Sequence, residues 1–245
     1  MLSLSFTKID KFKRCPFEYQ CYCNRELVKK YHVDTPPLIF GQIMHGIFND
    51  YYKILEKDDR TLEKLIELFR QKYNASKDKH DKIFGTKEIL TEYAQMARKE
   101  FENFLGSSLS QQVPYVATEE NIRVDLGGVE LIAKIDRLDT TGEGMKIIDY
   151  KTGKFIEDKP DPLQLNLYAL STFVKFPSIP LHKKTYYYLY DDRFVEVDVK
   201  SGEFRKTREF VLKTAEEIQE EKHFKAKKNS KCNWCDFKAI CPEYL

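Results

Sequence analysis

The sequence predicts a mixed α/β (α+β) fold, a central sheet flanked by helices. Helix-period apolar patterns occupy the first part of the chain, three short strand-like runs follow, and a helix, a hairpin and a last helix come after them. With 245 residues, 33% charged and 13% aromatic, there is material for one large domain, 1–245, or a domain carrying a sizeable insertion.

Taken in order, "LSFTKIDKFKR" sets Phe6, Ile9 and Phe12 at helical spacing, with Ser5 or Thr7 as the N-cap. Pro16 after Cys15 predicts a break. "TPPLIFGQIMHGIFNDYYKILEK" opens on two prolines and keeps helical period to about Leu55. "RTLEKLIELFRQKY" and "TKEILTEYAQMARKEFENFL" continue it, so 58–112 reads as a helical insertion. From Pro114 the character changes. "VATEENIRVDLG", "VELIAKIDRLD" and "GMKIIDYKT" read as three strands, joined at Gly127-Gly128 and around Thr141-Gly142. "DPLQLNLYALSTFVKF" is a helix with Pro162 in its first turn. "KKTYYYLYDDRFVEVDVK" is a hairpin turning at Asp191-Asp192, and "GEFRKTREFVLKTAEEIQEEKHF" a charged helix before a cysteine-bearing segment, 223–245.

A net charge of +2 neither supports nor excludes a nucleic-acid partner, so a local basic patch must carry that argument. No apolar run approaches the roughly 18 residues that span a bilayer. The opening "MLSLSFTKID" lacks the basic start and apolar length of a secretory signal, so the expectation is a cytoplasmic protein without a membrane partner. In that reducing compartment six cysteines point to metal binding rather than disulfides.

The chemistry concentrates at "GMKIIDYKTGKF". Asp-x-Lys also occurs at Asp198/Lys200 and Asp236/Lys238, where it reads as ordinary surface charge. Asp149 and Lys151 differ because they end an apolar strand, and alternation puts both on one face with Tyr150 on the other. The preceding strand carries a second acid, Asp136, among apolar neighbours. Burying two acids without cations costs several kcal/mol each. Either a salt bridge that only holds two strands answers that cost, or a hard divalent cation, magnesium or manganese, does so. A lysine on the same face would orient a water and stabilise phosphate charge.

At these residues the chain resembles the PD-(D/E)XK nuclease superfamily in its RecB-like branch: Asp136 in "KIDR", "DYKTG" at 149–153, and "QLNLY" at 164–168. The resemblance implies a restriction-endonuclease-like mixed sheet and a DNA-cleaving site. In it Asp136, Asp149 and the backbone carbonyl of Tyr150 bind the metal, Lys151 serves the hydrolytic water, and Gln164 and Tyr168 line the cleft. It also adds His45 as a metal ligand, in a Gly41-x-x-x-His45 setting where the glycine leaves room beside the imidazole. Standing alone, His45 would read as a core histidine and Gln164 and Tyr168 as helix surface.

Near the chain's end, Cys232-x2-Cys235-x5-Cys241 places three thiols at metal-ligand spacing, one short of four. The fourth comes from Cys15, Cys21 or Cys23. "CPFEY" favours Cys15, because it is similar to the N-terminal part of the iron–sulfur signature in nucleases of CRISPR adaptation and in AddB-type subunits. A [4Fe–4S] cluster joining the two ends is then implied, with zinc as the alternative; Cys21 and Cys23 read as small buried hydrophobes. "KHFKAKKNSK" from Lys222 to Lys231 is either a solvated helix end or a phosphate-contacting patch. Tyr186, Tyr187 and Tyr188 read as core, with base stacking as the functional alternative.

The function implied is a metal-dependent DNA nuclease, an exonuclease on single-stranded or end-containing DNA, serving recombination and repair or CRISPR adaptation. Its implied partners are DNA and a helicase or CRISPR integrase subunits. The alternatives are a non-cleaving iron–sulfur DNA-binding or scaffold subunit, and a redox or iron sensor.

Overall fold

The computed structural model describes residues 1–53, 56–111, 115–155 and 162–245. In order these form β1 (Leu2–Ser5), α1 (Phe6–Arg14), α2 (Pro16–Cys23), α3 (Arg25–Tyr31), α4 (Pro36–Lys53), α5 (Leu62–Asn74), α6 (Lys77–Phe84), α7 (Lys87–Gly106) and α8 (Ser108–Gln111). Then come β2 (Tyr115–Asp125), β3 (Val129–Thr141), β4 (Gly144–Lys151), α9 (Pro162–Lys175), β5 (Leu181–Tyr188), β6 (Arg193–Asp198) and α10 (Glu203–Glu220). The helix end near Leu55 and the change of character at Pro114 fall outside the described residues.

Six strands form one mixed sheet in the order β1-β3-β4-β5-β6, with β2 on the free edge of β3. The β2–β3 and β3–β4 pairs are antiparallel hairpin neighbours, and β5–β6 is the expected hairpin. β4 and β5 run parallel across the α9 crossover. Gly127 and Gly128 turn the first hairpin with φ of 95° and 92°, a region open to glycine, and the Asp125 carboxylate accepts both of their N–H groups.

Both faces of the sheet are covered, which is why β4 reads as a continuous apolar run instead of alternating. Ile147 joins the core under α1, α9 and α10, with Ile9, Leu131, Leu165 and Val211. Its neighbour Ile148 joins the opposite core with Met44, Phe48, Phe101, Phe104 and Tyr187, beneath α4, α5 and α7. Lys184, nearly fully buried on β5, pairs with Glu203 of α10 and donates to Asn166 Oδ1 of α9 at 2.7 Å, stapling that helical layer to the sheet.

Several local expectations need correction. Leu2–Ser5 is a strand pairing in parallel with Val129–Ile132; four residues carry too weak an alternation to announce it. The helical segment contains α6 and α8 besides the two expected helices, and α2 and α3 continue the chain as short helices after the break at Pro16. Ser5, not Thr7, caps α1, its hydroxyl accepting from the Lys8 N–H at 3.4 Å. Cys21 is buried as expected but Cys23 is exposed, because it ends α2 two residues further round the helix.

Candidate active site

Asp136 and Asp149 stand on neighbouring strands, one step beyond the paired Arg137 and Ile148. They line one open cleft of about 710 Å³ together with His45, Tyr150, Lys151, Gln164 and Tyr168. Every sequence-predicted catalytic and divalent-metal residue therefore lines one cleft.

Helices α4 and α9 converge there on strands β3 and β4. From α4, His45 Nδ1 lies 2.9 Å from Asp136 Oδ1, and the Tyr150 backbone N–H donates to Asp136 Oδ2 at 2.9 Å. On β4, Lys151 Nζ sits 2.7 Å from Asp149 Oδ2 and donates to Gln164 Oε1 at 2.9 Å. From α9, Gln164 Nε2 donates to Asp149 Oδ1 at 3.2 Å and to the Tyr168 hydroxyl, one turn on, at 2.9 Å. The Tyr150 ring points away into the core beneath α4 and α7, leaving only its backbone on this side.

Asp149 is 3% exposed, and burial lifts its carboxyl to about 6; the Lys151 ammonium pulls against that lift and the Asp136 charge adds to it. Despite the ammonium's nearness, Asp149 Oδ2 has no hydrogen bond of good direction. Burial alone would lower His45, but the hydrogen bond and charge of Asp136 outweigh it and leave the imidazole raised. Burial likewise raises the Tyr168 phenol, and Asp149 adds to it. Gly41 does not make room for the imidazole: a side chain there would meet Thr152 Oγ1, at 3.5 Å.

Sequence reasoning missed Glu100. This α7 residue is fully buried, and its Oε1 accepts the Gly153 N–H at 2.7 Å while Oε2 has no partner. Burial pushes its carboxyl to about 8, against the pull of the Gly153 N–H. A signal existed, since Glu100 falls three residues after Ala97 and four before Phe104, on the apolar stripe of the helix. One turn on, Asn103 Nδ2 donates to the carbonyls of Leu189 and Tyr190 at 2.8 and 3.0 Å. Helix α7 thereby holds both the β4 exit and the β5–β6 turn.

The cysteines gather at the opposite end of α1. Cys15, Cys232, Cys235 and Cys241 line one small cavity; Cys232 opens a 3-10 turn, Cys232–Trp234, that Cys235 caps, and Cys241 caps the next, Lys238–Ile240. Backbone N–H groups of Lys227 and Asn229 donate to Cys15 Sγ at 3.4 Å and Cys232 Sγ at 3.2 Å. Cys21 sits beside them, its thiol raised to about 11 by burial and by the neighbouring sulfurs. Asp236 docks this segment on the N-terminal helices, with Oδ2 2.9 Å from His32 Nδ1. Among the described residues, no group of three or more His, Cys, Asp or Glu side chains is arranged to hold a metal ion as it stands.

The sequence profile of the PD-(D/E)XK nuclease superfamily matches residues 3–242. The chain belongs to that superfamily. Over 180 residues, 62% of this chain, it is 28% identical to a subunit of the ATP-dependent helicase/deoxyribonuclease of Thermoanaerobacter pseudethanolicus. The same-named protein of Clostridium tetani is 26% identical over 181 residues. The match spans 16% of the length of each of these relatives. Among solved structures, a Eubacterium rectale protein assigned as an exonuclease superposes with a TM-score of 0.56 at 12% identity, covering 89% of this chain and 80% of that one. At that identity the likeness speaks for the fold. Among the described residues no helix is long and apolar enough to cross a membrane.

Proposed function

We propose that this chain is a divalent-metal-dependent deoxyribonuclease, an exonuclease on single-stranded or end-containing DNA. The observation that carries the reading is the convergence in one cleft of Asp136, Asp149 and Lys151, with the ammonium 2.7 Å from a buried carboxylate. Hydrolysis requires a water oxygen to attack phosphorus while the P–O bond to the leaving nucleotide breaks. Lys151, held by Asp149 and Gln164, orients that water and balances the charge gathering on the phosphate. Gln164 and Tyr168 fix the lysine from α9.

The donor set fits magnesium or manganese: two carboxylates, the Tyr150 carbonyl and His45 would hold it, and Asp149 Oδ2 is a buried oxygen lacking a hydrogen bond. When bound, such a cation supplies Lewis acidity and lowers the pKa of bound water. The four-thiol cavity, with backbone N–H groups aimed at two of its sulfurs, suits a [4Fe–4S] cluster on Cys15, Cys232, Cys235 and Cys241, with zinc as the alternative. On this reading 1–245 is one nuclease domain, 58–112 its helical insertion, and 223–245 the segment that the cluster ties to the N-terminal helices.

The relatives' names, helicase/deoxyribonuclease subunits, support action on DNA beside a helicase; a cytoplasmic place in recombination and repair is the sequence expectation carried forward with it. CRISPR adaptation with integrase subunits rests on the resemblance of "CPFEY" and the later cysteines to nucleases of that pathway. The test is a time course with end-labelled single- and double-stranded DNA in manganese. Cleavage that disappears in Asp149→Ala and Lys151→Ala is expected; DNA binding without products would instead favour a scaffold role. For the cluster, protein purified without air should be brown and contain iron, and a colourless zinc protein would overturn that assignment.

A further inference from the structure

β4 and β5 are parallel and end side by side at Lys151 and Tyr188, the end at which open α/β sheets receive ligands. Aromatic rings lead outward from there. Lys151 Nζ lies 4.8 Å from the centre of the Tyr186 ring, which stands 6.4 Å from Tyr188. Tyr188 meets Phe155 edge to face at 4.7 Å, and the Arg193 guanidinium lies 3.9 Å from the Phe155 ring centre. In the adjoining β5–β6 turn, Tyr190 carries Lys99 of α7 at 3.8 Å and Lys154 at 5.7 Å.

Of the tyrosine run, Tyr186 and Tyr187 are buried, while Tyr188, Phe155 and Tyr190 are partly exposed and Lys99, Lys154 and Arg193 exposed. Each of those cations rests on a ring. The turn's own acids, Asp191 and Asp192, are exposed as well, Asp191 accepting the Phe155 N–H and Asp192 the Tyr187 hydroxyl at 2.7 Å, and the three cations outnumber them by one. The surface therefore offers ring faces and positive charge beside the catalytic lysine.

We propose that this platform binds single-stranded polynucleotide where it meets the cleft, an inference that rests on the nuclease reading of that cleft. Bases stack on Tyr188 and Phe155, while Lys99, Lys154 and Arg193 hold phosphates. Only unpaired bases expose the faces that such rings require, so the ligand is a single strand rather than a duplex.

Fluorescence anisotropy of 5′-labelled dT15 and rU15, measured in EDTA to stop turnover, tests it. Tyr188→Ala weakens binding by about 5–150-fold, the loss of one stacked base. Tyr188→Phe stays within about twofold and controls for folding, and a blunt duplex is unaffected by Tyr188→Ala. The surface double variant Lys99→Ala/Lys154→Ala flattens the salt dependence by about 0.7 for each phosphate no longer neutralised. A loss with dT15 identifies DNA as the ligand, and a loss with rU15 alone identifies RNA. Unchanged binding of both by Tyr188→Ala overturns the platform even where Lys151→Ala has abolished cleavage. Weakened binding beside cleavage that survives Lys151→Ala would keep the platform and sink the nuclease reading instead.

Discussion

Replacing Glu100 by glutamine turns a pH-dependent weakness into a pH-independent contact. The wild-type carboxyl is fully buried and accepts the Gly153 N–H, and burial moves it from an ordinary 4.5 to about 8. A carboxyl raised in the folded state favours folding while protonated. Its contribution is complete below about pH 4.5 and is lost as pH climbs toward 8, because unfolding then releases the group to ionise in water. Each pH unit in that window costs about 1.4 kcal/mol, so the deficit grows to at most about 5 kcal/mol. Glutamine keeps an acceptor for Gly153 and cannot ionise. Urea unfolding of both proteins from pH 5 to 9 should show Glu100→Gln gaining steadily on the wild type up to about pH 8 and levelling off above it. Parallel stability curves across that range would refute the reasoning.

On the proposed cluster, Cys232→Ala should lower stability by up to about 5 kcal/mol, since tying Cys15 to the C-terminal thiols would close a loop of over 200 residues; an unchanged melting temperature together with unchanged activity would end the structural role. Gly144→Ala should cost about 1–3 kcal/mol or more in denaturant unfolding, because φ is 124° and the new Cβ would lie 2.2 Å from the Pro180 carbonyl oxygen. Arg137→Ala should cost about 3–5 kcal/mol by stranding the buried Asp139, whose Oδ1 it holds at 2.5 Å. Adding Asp139→Asn should recover part of that loss, and an absence of recovery would mean that packing, not charge, set the cost.

The strands of the central sheet were legible because two covered faces and glycine turns leave strong marks: "GMKIIDYK" and Gly127-Gly128 sit where periodicity puts them. The cleft was legible through resemblance at Asp136, "DYKTG" and "QLNLY". Alternation alone placed Asp149 beside Lys151 but gave no reason for His45 to reach Asp136 across 91 residues. β1 was hidden because "LSLS" has two apolar residues, and its partner lies far away in sequence. Glu100 was hidden by its setting, "ARKEFENF", where charged neighbours disguise an acid on the apolar stripe. Asp236, read as surface charge, turns out to anchor the cysteine segment through His32 and the Val33 N–H.

The pairing of Leu2 with Val129 has a bearing on how the protein is made. β1 finds its partner only after about 127 more residues have been made, which at roughly 5–20 residues per second takes about 6–25 s. Throughout that interval the helices can form and pack locally, while "LSLS" waits as an unpaired edge. Closing the sheet on β1 should thus be a late, slow step of folding.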